Sequence, residues 1–163
     1  MLKEFFEKFG IKEFFDETKL VKLGNNYFLV QKSLQDFLKL KPDYIGEKMF
    51  WTRGASIIPS LKLLEIIGKN ARNKVILNPE GEWLFICGRD LMAQSIEKVL
   101  GSPEVNGLVA VLNQHQECLG YGLVVAELDG EKAKVVVIKR VFDVGDFLRR
   151  ERKSSKIKGT QLF

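Results

Sequence analysis

Residues 107–127 read GLVAVLNQHQECLGYGLVVAE. Two apolar runs flank the polar turn NQHQ, which is the pattern of paired short strands. The glycines of GYG, Gly120 and Gly122, lie inside the second run, where glycine marks a bulge or a close backbone approach. On either side, KVIL (74–77), EWLFIC (82–87) and AKVVVIK (133–139) add further short apolar runs. The turn-rich pieces NPEG and LDGEK separate them. GRDLMAQSIEKVLG (88–101) reads as the one helical insert. Several short strands at this spacing predict a small closed or half-closed barrel.

The first half has a different rhythm. LKEFFEKFGIKEFF (2–15) places Leu2, Phe5, Phe6, Phe9 and Phe14 on one face of an amphipathic helix weakened at Gly10. KLVKLGNNYFLVQ (19–31) is a hairpin around Gly-Asn-Asn. SLQDFLKL (33–40) predicts a short helix capped by Ser33 and stopped by Pro42. MFWTRG (49–54) suits a buried strand. PSLKLLEIIGKNA (59–71) repeats apolar residues at helical spacing and is the clearest helix. The pattern breaks in GKNARNK, Gly68–Lys74. The expected class is α+β: a mixed domain of antiparallel strands and helices over 1–72, a small β-barrel over 73–150, and a basic extension over 151–163.

The 163 residues carry 45% hydrophobic and 29% charged residues, the composition of an ordinary globular protein. No apolar run approaches the roughly 20 residues of a membrane span, and no secretion signal is visible at Met1. The two cysteines, Cys87 and Cys118, have no paired spacing, which suits a reducing, cytoplasmic setting. Cys87 is expected as a small core residue. His115 is the one histidine, and with Cys118 it offers two metal ligands at most, where a site needs three or four. There is no phosphate-cradling glycine loop and no dinucleotide fingerprint. No metal, no cofactor, no catalytic residue and no enzymatic activity are expected.

Net charge is +5, and the ten residues from Arg149 to Lys158 supply all of it: Arg149, Arg150, Arg152, Lys153, Lys156 and Lys158 against Glu151. Such concentration is an electrostatic footprint for a phosphate backbone rather than a generally basic surface. If Asp143 caps a helix, with Asp146 three residues on, then Arg149, Arg152, Lys153 and Lys156 share one face. Asp146 would pair with Arg150, and Phe147 and Leu148 would anchor the helix. Cations near a helix C-terminus also complement its dipole, by about 0.3–1 kcal/mol, but one or two lysines suffice for that. Tyr121, Phe142, Trp51 and Trp83 are candidate stacking residues, though each lies in an apolar pattern that suits core packing. Backbone contact is therefore better supported than base reading.

FICGRDLMAQSI, GLVAVLNQHQECLGYGLVVAE and VIKRVFDVGDFLRRE, taken in order, resemble the PUA domain, an RNA-binding module. In its first motif the chain has Gly88, Arg89, Asp90, Leu91, Met92, Ala93, Gln94, Ser95 and Ile96, with Arg89, Gln94 and Ser95 where Ala, Pro and Gly are usual. With a helix-and-hairpin domain in front, the chain resembles as a whole the Nip-seven family of large ribosomal subunit biogenesis factors, in its archaeal form. That resemblance implies a monomeric, non-catalytic RNA-binding protein acting in ribosome biogenesis. It implies contacts with single-stranded segments of precursor rRNA and with assembly or RNA-processing proteins, an exosome-type complex included. The RNA-contacting residues expected are Arg149, Arg150, Arg152, Lys153, Lys156 and Lys158. The alternatives are an accessory subunit of an RNA-modification or RNA-degradation complex, and a protein–protein adaptor.

Overall fold

A computed structural model describes residues 2–12, 19–128, 134–146 and 149. Phe14, the LDGEK turn beyond Leu128, Phe147, Leu148, Arg150 and the extension over 151–163 lie outside the described residues.

Helix α1 (Leu2–Glu7) buries Leu2 and Phe6 and ends in turns that leave Gly10 at φ 71°, where the sequence places its weak point. Strands β1 (Leu20–Leu23) and β2 (Asn26–Leu29) form the expected hairpin. Next, Lys32–Leu40 is a 3-10 helix. Ser33 does not cap it: the residue at the N-terminal boundary is Gln31, with no side-chain cap bond. Leu34 and Leu38, one turn apart, close over a small core of Phe28, Val30 and Ile45, while Phe37, Leu40 and Tyr44 stay exposed. Strand β3 (Glu47–Arg53) turns at Gly54 into β4 (Ser56–Pro59), which completes an antiparallel sheet in the order β1-β2-β3-β4. Helix α2 (Leu61–Asn70) follows, its first turn capped by the Ser60 hydroxyl, which accepts from Leu63 N at 3.2 Å.

The second half builds a six-stranded curled sheet in the order β6-β10-β9-β8-β5-β7. Its strands are β5 (Lys74–Leu77), β6 (Leu91–Met92), β7 (Ile96–Leu100), β8 (Leu108–Leu112), β9 (Cys118–Val124) and β10 (Val136–Asp143). All pair antiparallel apart from β5 with β8. The architecture is α+β, with an antiparallel sheet and helices ahead of a half-barrel.

Two expectations fail between β5 and β7. EWLFIC is not a strand; it lies within helix α3 (Pro79–Ile86). The turn-like NPEG is its start. Asn78 caps it by accepting from Gly81 N at 2.8 Å, Pro79 occupies the first turn, and Glu80 and Glu82 meet the positive end of the dipole. Gly81 and Phe85, four apart, face inward. Cys87 then falls at the helix end and is exposed, not core, and Trp83 on the outer face is 68% exposed. Conversely GRDLMAQSIEKVLG is not helical. It forms β6, a 3-10 turn over Ala93–Ser95 and the edge strand β7. A Cβ on Gly81 would meet the Ser95 side chain and carbonyl at 2.7 Å; this close seat for α3 holds the segment extended.

Strand β8 is buried on both faces, which explains its unbroken apolar run. Val109 and Val111 face the half-barrel interior with Val75, Leu77, Phe85, Leu91 and Ile138. Ala110 and Leu112 face the other way, into a cluster with Phe6, Phe9, Met49, Phe50, Leu63, Leu64 and Ile67. Opposite the Val111–Leu112 step of β8 the register shifts past Leu119 of β9, which lets Leu119 join the interior while Tyr121 joins the outer cluster. Each sheet has apolar residues of its own, but the largest cluster belongs to both. The N-terminal layer is thus packed onto the back of the half-barrel.

Candidate nucleic-acid interface

The site grows from the end of β10. Asp143 is 0% exposed, and a carboxylate that deep is tolerated only with its oxygens fully paired. Oδ1 accepts from Gly145 N at 2.8 Å and from Arg149 Nη1 at 2.9 Å. Oδ2 accepts from Arg140 Nη1 at 3.0 Å and from Arg149 Nη2 at 2.5 Å. Arg149 therefore holds the carboxylate in the bidentate fork that suits a guanidinium. Asp143, which the sequence places as a helix cap, does bond the turn that follows it, and Arg149 N reaches Gly145 O at 3.2 Å as a helical turn would.

The same two arginines tie β10 to the end of α3. Arg149 Nη1 donates to the Ile86 carbonyl. Arg140 donates through Nε to Gly88 O at 3.2 Å and through its backbone N to Asp90 Oδ1 at 2.9 Å. Gly88 sits at φ 89°, and a Cβ there would lie 3.1 Å from the Arg149 guanidinium. Glycine serves both the left-handed backbone and the close approach. The pairing with Asp143 holds the Arg149 guanidinium above its ordinary pKa, chiefly through the hydrogen bond.

Arg149 is 28% exposed and its guanidinium is directed inward, at Asp143 and Ile86. The other five expected RNA contacts, Arg150, Arg152, Lys153, Lys156 and Lys158, lie outside the described residues. Arg149 itself lies beside the Gly88 loop, where Arg89 is exposed, as is Lys139 on β10. The sequence reading missed the Asp143–Arg149 pair. Its signal was an Asp and an Arg six residues apart with a glycine between, which a reading focused on helical faces passes over. Of the stacking candidates, Tyr121 is buried and Phe142 and Trp51 half-buried, while Lys48 Nζ lies 4.7 Å from the Trp51 ring centre. Among the described residues no group of three or more His, Cys, Asp or Glu could hold a metal ion. No helix among them is long and apolar enough to cross a membrane.

The second half is a curled half-barrel with a capped helix across it, and comparison with known proteins identifies that architecture as the PUA domain. Residues 73–152 match the family described as UPF0113 PUA domain. A UPF0113 protein of Archaeoglobus fulgidus is 32% identical over 117 residues, covering 70% of this chain and 66% of that protein. The match thus spans a little under two thirds of the relative's length. The structure of a conserved PUA domain protein from Thermoplasma acidophilum superposes with a TM-score of 0.59 at 20% identity, covering 92% of this chain and 91% of that one. A PUA domain from Aeropyrum pernix K1 gives 0.53 at 22% identity over 64% of this chain and 62% of that one. The chain is a PUA-domain protein.

Proposed function

We propose that this protein binds RNA without catalysing a reaction, through the basic stretch that begins at the Asp143–Arg149 latch. The observation that carries the reading is the concentration of the whole net charge in residues 149–158, at the end of a PUA domain. Arg150, Arg152, Lys153 and Lys156 are the phosphate contacts, with Lys158 a weaker one. Arg149 has the separate task of fixing where the stretch leaves the domain, since its guanidinium is engaged by Asp143. The finer reading is a cytoplasmic ribosome-biogenesis factor of the Nip-seven kind, meeting precursor rRNA and processing proteins. The order of motifs across the chain supports it.

Affinity for single-stranded RNA should fall with salt at a log–log slope of about −0.7 per phosphate neutralised. Replacing Arg150, Arg152, Lys153 and Lys156 by alanine should flatten that slope by roughly 2–3 units. Arg149 is left intact, because its loss would disturb the fold. An unchanged slope and affinity in the folded quadruple variant would reduce the stretch to a solvated tail and favour the adaptor reading.

A further inference from the structure

A cleft of about 770 Å³ opens between the N-terminal layer and the back of the half-barrel. Phe5 from α1, Ile58 from β4, and Val141 and Phe142 from β10 form its walls, and Asn106 stands at its lip. Its floor is Tyr121. Three rings fix that side chain: Phe5 and Phe9 edge-on at 5.8 and 5.3 Å, and Phe142 stacked at 5.9 Å with an interplanar angle of 23°. Tyr121 is 4% exposed, yet among the described residues nothing hydrogen-bonds its hydroxyl. No fully buried side-chain N or O lacks a partner either, so the hydroxyl is not fully sealed, and Tyr121 lines the cleft. Buried tyrosines usually find a partner for this group. Burial pushes its pKa up to about 12, which keeps it a neutral O–H donor.

An aromatic-walled slot with the Tyr121 hydroxyl at its buried side, and Glu4, Lys8, Ser56 and Asn106 also lining it, suits a flat ligand that carries an acceptor on its edge. Unstacked bases of single-stranded RNA have that form, and proteins hold them against aromatic rings while bonding their edges. An aliphatic peptide side chain would leave the hydroxyl unpaired. The cleft and the latch share one end of β10, on opposite faces of the sheet: the wall residue Phe142 immediately precedes Asp143, which grips Arg149. We propose that the cleft receives one unstacked nucleobase of a bound RNA strand, its edge accepting from the Tyr121 hydroxyl and its face lying against Phe142 and Phe5. The proposal rests on the RNA reading above and adds base contact to phosphate contact.

The test compares a short oligouridylate with an abasic oligonucleotide of the same phosphate count, across a salt series, for the wild-type chain and Tyr121→Phe. The wild type should prefer the base-bearing strand by about tenfold or more, with equal salt slopes for the two ligands. Tyr121→Phe keeps the ring packing and should shrink that preference by about twofold to tenfold, the worth of one hydrogen bond. As a second readout on the unaltered chain, photocrosslinks from 4-thiouridine should map to the Val141–Phe142 segment or to Tyr121. Equal binding of both strands with a steep salt slope overturns the cleft proposal and leaves the RNA reading standing; a cleft built for a peptide would give that result. Crosslinks mapping only elsewhere, or an unchanged base preference in Tyr121→Phe, overturn it as well. If neither strand binds, the RNA reading falls and takes the proposal with it.

Discussion

The cluster beneath α2 and the latch at Asp143 both join stretches far apart in sequence, and they do so with opposite materials. The first is dry: Leu63, Leu64 and Ile67 of α2 pack with Met49 and Phe50 of β3 and Ala110, Leu112 and Tyr121 of the half-barrel. Its strength is spread over many contacts, each fully buried aliphatic side chain contributing about 1.5–3 kcal/mol. The second is a single carboxylate shared by Arg140, Arg149 and Gly145. Breaking such a pair leaves an unpaired buried charge, so its importance shows on removal rather than in net stability. The apolar seam sets how firmly the two layers adhere, and the latch sets the geometry of one edge.

Four experiments test that contrast. Leu64→Ala should cost about 3 kcal/mol in urea denaturation, inside the range for a buried leucine, and should weaken the whole molecule. A loss under about 1 kcal/mol would mean that the seam is not the shared core described here. Asp143→Ala should cost about 2 kcal/mol, discounted because both arginines keep about 30% of their exposure and can turn to water. A double-mutant cycle of Asp143→Ala with Arg149→Ala should show a coupling of about 1 kcal/mol; additive losses would dissolve the latch as a unit. Asn78→Ala should cost about 1 kcal/mol by removing the α3 cap, and it should add simply to Leu64→Ala.

The smallest effect concerns the cysteines. Exposed Cys87 should react with a maleimide in the native state, while Cys118 should stay protected. Burial pushes the Cys118 thiol up from 9.0 to about 11. The fold therefore favours the neutral thiol. That contribution is full below about pH 9 and is lost as pH rises through about 11. Alkaline titration of Cys118→Ala should lack this loss of stability.

Much of the architecture was legible because local and tertiary demands agree. The hairpin at Gly24, the capped helix α2 and the paired strands around NQHQ follow from turn residues and apolar period alone. β4 was missed, though SIIP follows a glycine turn, because four residues carry little periodicity. Between Asn78 and Leu100 two signals competed. Asn-Pro-Glu-Gly is both a turn composition and a helix start, and a long-range partner decided: Asn78 Nδ2 donates to Gln94 O at 2.8 Å. That bond pins the later segment extended against α3. For the site, the charge run begins at Arg149, the residue that the structure shows bound to Asp143. It could not tell Arg149 from its neighbours, because the distinction depends on Asp143 being buried, which is a property of the folded sheet and not of any window of residues.

The latch also bears on how the molecule comes to be folded. Arg149 and the Ile86 carbonyl are separated by 63 positions, and β10, which brings Asp143 to them, lies between β6 and β9 in the sheet order. Contacts of such long range must wait for a large loss of chain entropy, which slows folding. A chain that ended short of β10 would leave the facing edges of β6 and β9 without their partner and the end of α3 without its guanidinium. Unpaired strand edges of that kind invite pairing with other chains. Strand β10 and Arg149 therefore act as a completion signal: without them the facing edges of β6 and β9 stay unpaired and the end of α3 stays untied.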